Sequence, residues 1–242
     1  MNNSPDAKPN TRPPSPALEP ELKVLLPATV LVSLTAATST LVLFAWIAQE
    51  VLRGRTEKFD LFVRTWVHQY ASPTMTHRMT IISMFGGEGL AVAFIAAMAV
   101  FLALRWRRAA TWLAITAAGA MVLQVALKYA YQRPRPIPFF GSVPYGYSFP
   151  SGHALVSFCF YGVLAGLLAD RTESLLLRIL TWIIAACTVV AIGLSRIYLG
   201  VHYPSDVIAG YLAAAVWVST MVALDHIRTS RRQRKLNHQA KS

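Results

Sequence analysis

The stretch LLRILTWIIAACTVVAIGLSRIYLGVHYPSD, residues 176–206, decides the architecture. Its first part, Leu176 to Leu194, carries one charge, Arg178, in a run long enough to cross a hydrocarbon layer about 30 Å thick as a helix. Its second part turns abruptly polar, with Ser195, Arg196, His202 and Asp206 in close succession. A helix apolar around its whole circumference does not lie on a soluble protein. Ionisable groups abutting hydrocarbon are costly, and so mark a functional site.

Working outward, five further runs match the first: Leu25–Ala48, Ile81–Leu104, Ala109–Ala130, Ala154–Ala169 and Val207–Leu224. The second of these is interrupted near its start by Gly86, Gly87, Glu88 and Gly89. The expected fold is therefore all-α, a six-transmembrane-helix bundle. Composition agrees: of 242 residues 55% are hydrophobic and 14% charged, against about 25% charged in a soluble domain. The net charge of +12 would suggest nucleic acid in a polar chain. Here the positive charge lies between and beyond the apolar runs, so no nucleic-acid partner is expected. Cys159 and Cys187 lie inside apolar runs and make no disulfide framework.

Residues 1–24 bear Pro and charge without an apolar core, and are expected to be a disordered cytoplasmic tail with no signal peptide. Residues 25–227 form the six-span domain, and 228–242 a basic cytoplasmic tail against anionic headgroups. Arg105, Arg107, Arg108, Arg171, Arg178 and the cluster from Arg228 onward put both termini in the cytoplasm of a cell (inner) membrane by the positive-inside rule. From Glu57 to Tyr70, Phe59, Phe62, Val63, Trp66, Val67 and Tyr70 recur at helical spacing around Asp60, Arg64 and His68. That pattern predicts an interfacial amphipathic helix on the outer side. Ser72-Pro73 reads as the next helix start.

Three short segments on the outer side hold the chemistry. Lys128 and Arg135 close the third run; Pro150-Ser151-Gly152-His153 opens the fourth; Arg196, His202 and Asp206 join the last two. Ser151 is a plausible N-cap, and Gly152 lets backbone N–H groups approach an anion. A carboxylate four residues from His202 fixes its tautomer and leaves the other nitrogen free as base or nucleophile. Arg196 brings a planar fork suited to a tetrahedral oxyanion. Three cations, two histidines and one carboxylate suit a phosphate, and the lack of an acidic cluster argues against a catalytic metal. Glu88, Gln124 and Tyr147 are secondary candidates: Glu88 to pair with a site cation, Gln124 one turn before Lys128, and Tyr147, with Arg133 and Tyr145, on the loop over the pocket.

Lys128-x6-Arg135-Pro136, then Pro150 to His153, then Ser195-Arg196-x5-His202-x3-Asp206 resembles the type 2 phosphatidic acid phosphatase superfamily over roughly residues 25–225. The resemblance implies a metal-independent, cofactor-free lipid phosphatase acting outside the cytoplasm. Its substrate would carry a terminal phosphate, as undecaprenyl diphosphate, phosphatidylglycerol phosphate, phosphatidic acid and diacylglycerol pyrophosphate do. It implies that His202 attacks phosphorus and becomes a phosphohistidine, that Asp206 orients it, and that His153 protonates the leaving oxygen and then activates water. Lys128, Arg135, Arg196, Ser151 and Gly152 would hold the phosphate oxygens. Vanadium haloperoxidases share these motifs but are soluble. A phosphotransferase differs only in the acceptor of the second step, and a lipid-phosphate binding or transport protein would need the cations but not the histidines. Small residues such as Ala213 to Ala215 permit close helix contact without fixing an oligomeric state.

Overall fold

A computed structural model describes residues 19–239 as eight helices: α1 (Glu19–Leu52), α2 (Glu57–His68), α3 (Pro73–Met84), α4 (Glu88–Ala103), α5 (Arg107–Tyr131), α6 (Gly152–Ala169), α7 (Leu175–Tyr198) and α8 (Pro204–Gln239). Five stretches are long and apolar enough to cross a membrane: Val30–Leu52 in α1, α5, α6, α7, and Pro204–Ser230 in α8. The helices α3 and α4 pass the same test as a pair bent by 41°. Bulky aliphatic side chains such as Val92, Ile95, Val122 and Ile184 stand more than half exposed around the bundle, a surface that only lipid covers cheaply. The molecule is a multi-pass membrane protein.

Of the tail expected over 1–24, residues 1–18 lie outside the described residues, and α1 opens at Glu19. At the other end α8 continues without a break through the basic segment to Gln239, and residues 240–242 are not described.

The central element is α6, with half of its apolar window enclosed against 6% for α1. It packs on α5, α7 and α8, while α1 lies along α8 and α3 along α7. Small residues set these approaches. A Cβ at Gly193 of α7 would stand 1.9 Å from the Tyr211 hydroxyl, and one at Gly210 would stand 2.7 Å from the Ser151 carbonyl oxygen. The bend between α3 and α4 has a similar cause. A Cβ at Gly86 would lie 2.5 Å from Ile192 Cγ2, and one at Gly87 would lie 3.0 Å from His153 Nε2. The glycines that break the second apolar run therefore let a turn press against the start of α6.

Sequence signals fix several boundaries. Ser72 caps α3, accepting from the Met75 N–H with Pro73 in the first turn. Ser151 does the same for α6, accepting from Ala154. Helix α5 ends at Gln132 in the left-handed region (φ 45°), and Pro134 and Pro136 keep the chain that follows from resuming a helix.

Helix α2 turns its polar stripe inward. Asp60 and Arg64 are buried, whereas Phe59, Leu61, Phe62, Trp66 and Tyr70 are exposed. Arg64 donates to the carbonyls of Ile137 (2.8 Å) and Gly200 (3.3 Å), its guanidinium over the Phe139 ring. His68 stacks on the same ring at 3.9 Å.

Candidate active site

One end of the bundle gathers the end of α5, the start of α6, the end of α7, the start of α8 and the α3–α4 turn. Backbone bonds sew these segments together. The Ser151 N–H donates to the Asp206 carbonyl (2.9 Å), the Ser148 N–H to that of Arg133 (2.8 Å), and the Phe139 N–H to that of Leu199 (3.3 Å). Residues far apart in sequence thus share one short backbone framework.

His202 sits in the turn before α8, 1% exposed. Its Nδ1 lies 3.4 Å from Asp206 Oδ2, and its Nε2 lies 3.2 Å from Arg135 Nη1. A guanidinium has only donors, so Nε2 is the lone-pair nitrogen and the proton resides on Nδ1. Arg135 is itself held by the carbonyls of Gly146 (3.0 Å) and Val201 (3.1 Å). Burial pushes the His202 imidazole down to about 4, against the upward pull of its bond to Asp206 and with a further push down from Arg135 and Arg196. Burial likewise lowers Arg135 below the ordinary arginine value.

Asp206, wholly buried, accepts from every side. Its Oδ1 takes Arg133 Nη1 (2.6 Å), and its Oδ2 takes the Tyr203 N–H (2.9 Å) and the Ser148 hydroxyl. This saturates the carboxylate and leaves it fixed beside the imidazole.

The remaining candidates surround His202. His153, in the first turn of α6, lies within electrostatic range of Arg196, His202, Lys128 and Arg135. Lys128, near the end of α5, is within the same range of Arg135, Arg196 and Asp206. Arg196, expected in the connection after the fifth span, belongs to the last turn of α7. It donates through Nη1 to Ser83 of α3, while its buried Nε has no partner among the described residues. The N–H groups of Gly152 and His153 likewise lack a hydrogen-bond partner among the described residues. Unmet donors of this kind fit a multi-oxygen anion. Gln124 touches this floor: a Cβ at Gly152 would stand 2.1 Å from Gln124 Oε1 and 3.8 Å from Lys128 Nζ.

Two secondary candidates stand apart. Glu88 is exposed in the first turn of α4, and among the described residues no ion pair joins it to a site cation. The free energy of an exposed carboxylate is already met by water, so nothing draws it in. Tyr147 is half-buried on the rim, edge-on to Tyr129 at 5.9 Å.

Asp60, Ser148 and Ser205 were not among the site candidates that the sequence offered. Arg133, placed there on the loop over the pocket, is 12% exposed and bridges Asp206 to Asp60 of α2. Ser148 and Ser205 complete the same network. The usable signal was Asp60 and Arg64, four residues apart on one face of an amphipathic helix: both are buried and needed polar partners inside.

A family model described as the PAP2 superfamily matches residues 109–229, the part of the chain that carries all three site segments. The undecaprenyl-diphosphatase of Sulfolobus acidocaldarius is 33% identical over 152 residues, 60% of this chain and 68% of that protein. A lipid A 1-phosphatase of Rhizobium etli is 36% identical over 91 residues, 38% of this chain and 34% of its own. Among solved structures, a transmembrane PAP2-type phosphatidylglycerolphosphate phosphatase from Bacillus subtilis superposes with a TM-score of 0.70 at 25% identity. That match covers 77% of this chain and 93% of that one.

Proposed function

The chain belongs to the PAP2 superfamily, a phosphatase family, and on that premise we propose that it hydrolyses the terminal phosphate of a membrane lipid phosphate or pyrophosphate through a phosphohistidine on His202. The observation that carries this reading is the orientation of His202, with Nδ1 on a saturated carboxylate and Nε2 aimed at Arg135. In the first step the Nε2 lone pair bonds to phosphorus, the P–O bond to the lipid breaks, and His153 gives its proton to the departing oxygen. In the second, His153 takes a proton from water, the hydroxide bonds to phosphorus, and the P–N bond breaks to release inorganic phosphate. Lys128, Arg135, Arg196, the Ser151 hydroxyl and the Gly152 N–H hold the equatorial oxygens, with Gln124 behind Gly152. Phosphoryl transfer is mostly positioning and charge stabilisation, which is what these groups supply.

The undecaprenyl-diphosphatase, the lipid A 1-phosphatase and the phosphatidylglycerolphosphate phosphatase differ in their lipid but are all phosphatases, which supports a lipid phosphate substrate here. The same reading places α3 and α4 together as one span, giving six. Helix α2 then lies in the outer interface with Phe59, Phe62 and Trp66 in lipid, both termini are cytoplasmic, and the site faces the outside of the cytoplasmic membrane. The test is phosphate release by purified protein from a panel of undecaprenyl diphosphate, phosphatidylglycerol phosphate, phosphatidic acid and diacylglycerol pyrophosphate. It is paired with trapping of an acid-labile phosphoprotein. His202→Ala is expected to abolish both; full turnover in that variant overturns the proposal.

A further inference from the structure

Asp206 Oδ1 accepts from Arg133 Nη1 at 2.6 Å, and Arg133 is itself placed by Asp60, whose Oδ2 accepts from Nη2 at 2.9 Å. The two carboxylates thus share one guanidinium, with Tyr203's ring beneath it at 4.0 Å. Asp60 does more than hold the arginine. Its Oδ1 accepts the Ser205 N–H (2.9 Å), and its Oδ2 lies 2.7 Å from the Ser205 hydroxyl. Ser205 is the second residue of α8, so Asp60 satisfies one of that helix's unpaired N–H groups from outside the helix and places a negative charge at its positive end. Asp60 is wholly buried, and a buried carboxylate is retained only with such partners.

We propose that Asp60 is a positioning residue for the reaction, acting through Arg133 and the start of α8 to hold Asp206, and through it the imidazole of His202, in the attacking geometry. Asp60 sits on α2, whose outer face is exposed and apolar, so the helix that meets lipid also supports the nucleophile. The burial that opposes charge on Arg133 is outweighed by Asp206 and Asp60, which raise it above the ordinary arginine value and keep the bridge permanently ionic. The proposal rests on His202 being the nucleophile.

The experiment is a kinetic cycle on the full-length protein in lipid-containing micelles, with wild type, Asp60→Asn, Arg133→Gln, the double variant and His202→Ala. The loss of a charge-assisted bond predicts a fall in kcat of about 10- to 100-fold for Asp60→Asn, with KM within about twofold. Asp60→Asn added to Arg133→Gln is expected to lower kcat by less than Asp60→Asn does alone, because the route through Arg133 is already cut and only that through Ser205 remains. Arg133→Lys, which keeps the charge, restores part of the rate, and covers the case in which Arg133→Gln does not fold. Wild-type kcat in Asp60→Asn, or a full independent loss in the double variant, overturns the inference. An active His202→Ala overturns the underlying reading instead.

Discussion

The Arg135 guanidinium stands 3.2 Å from His202 Nε2, on the face of the imidazole opposite Asp206. A permanent cation at that distance disfavours protonation of the ring. Burial, and with it this cation, keeps the ring neutral far below the usual histidine range.

The pH profile follows. Because the His202 value is depressed to about 4, the lone pair is available above that pH and is lost as pH falls through it. The acid limb assigned to His202 in kcat/KM is expected near 4. Arg135→Gln removes the cation and should move that limb upward, towards the ordinary value near 6.5. A limb that stays in place in Arg135→Gln would mean that the cation does not act on the ring.

Arg196→Ala removes a fork whose Nε has no protein partner. The expected loss is on the order of 10²–10³ in kcat, as for other preorganised donors. Phosphate-release kinetics of the purified variant measure it, and a loss below about threefold would remove Arg196 from the oxygen-binding set.

With Lys128, Arg135 and Arg196 supplying the positive charge, turnover should be unchanged by EDTA. Orthovanadate, which adopts the five-coordinate geometry of the transferring phosphoryl group, should inhibit competitively. Dose–response curves for both agents in the release assay decide the matter.

Gly193→Ala tests the packing of α7 on α8. The new methyl would meet the Tyr211 hydroxyl at 1.9 Å and Val207 at 2.7 Å, both held in packed helices. Overpacking of this kind costs about 1–3 kcal/mol, read as a lower thermal midpoint in detergent.

Phe62 and Trp66, 70% and 52% exposed, stand on the outer side of α2, whereas Asp60 and Arg64 are buried on the inner one. Their replacement by Asp is expected to lower turnover of a vesicle-borne lipid phosphate several-fold. Hydrolysis of a short, water-soluble phosphate ester should be spared. Equal loss on both substrates would argue that α2 has no role at the lipid surface.

Much of this was legible from residue order. Hydropathy located every long apolar helix because a span must be apolar over its whole length, and Ser72 and Ser151 marked their helix starts by cap chemistry alone. The three site segments were visible because each sits at the edge of an apolar run. The Asp60–Arg133–Asp206 bridge was not, since pairing across 73 residues leaves no periodic trace in the chain. Nor could Gly86 and Gly87 be explained before α6 was in place. They read as breaks in a span, and their reason is the Ile192 side chain and the His153 ring on the other side.

The cross-links among Ser151, Asp206, Ser148, Arg133, Phe139 and Leu199 run through main-chain amides, which substitution of side chains leaves intact. Variation can therefore reshape the 137–145 loop, where Ile137, Val143 and Tyr145 are exposed, while the surroundings of His202 keep their alignment. Such a scaffold holds its centre by main chain and leaves its periphery to side chains.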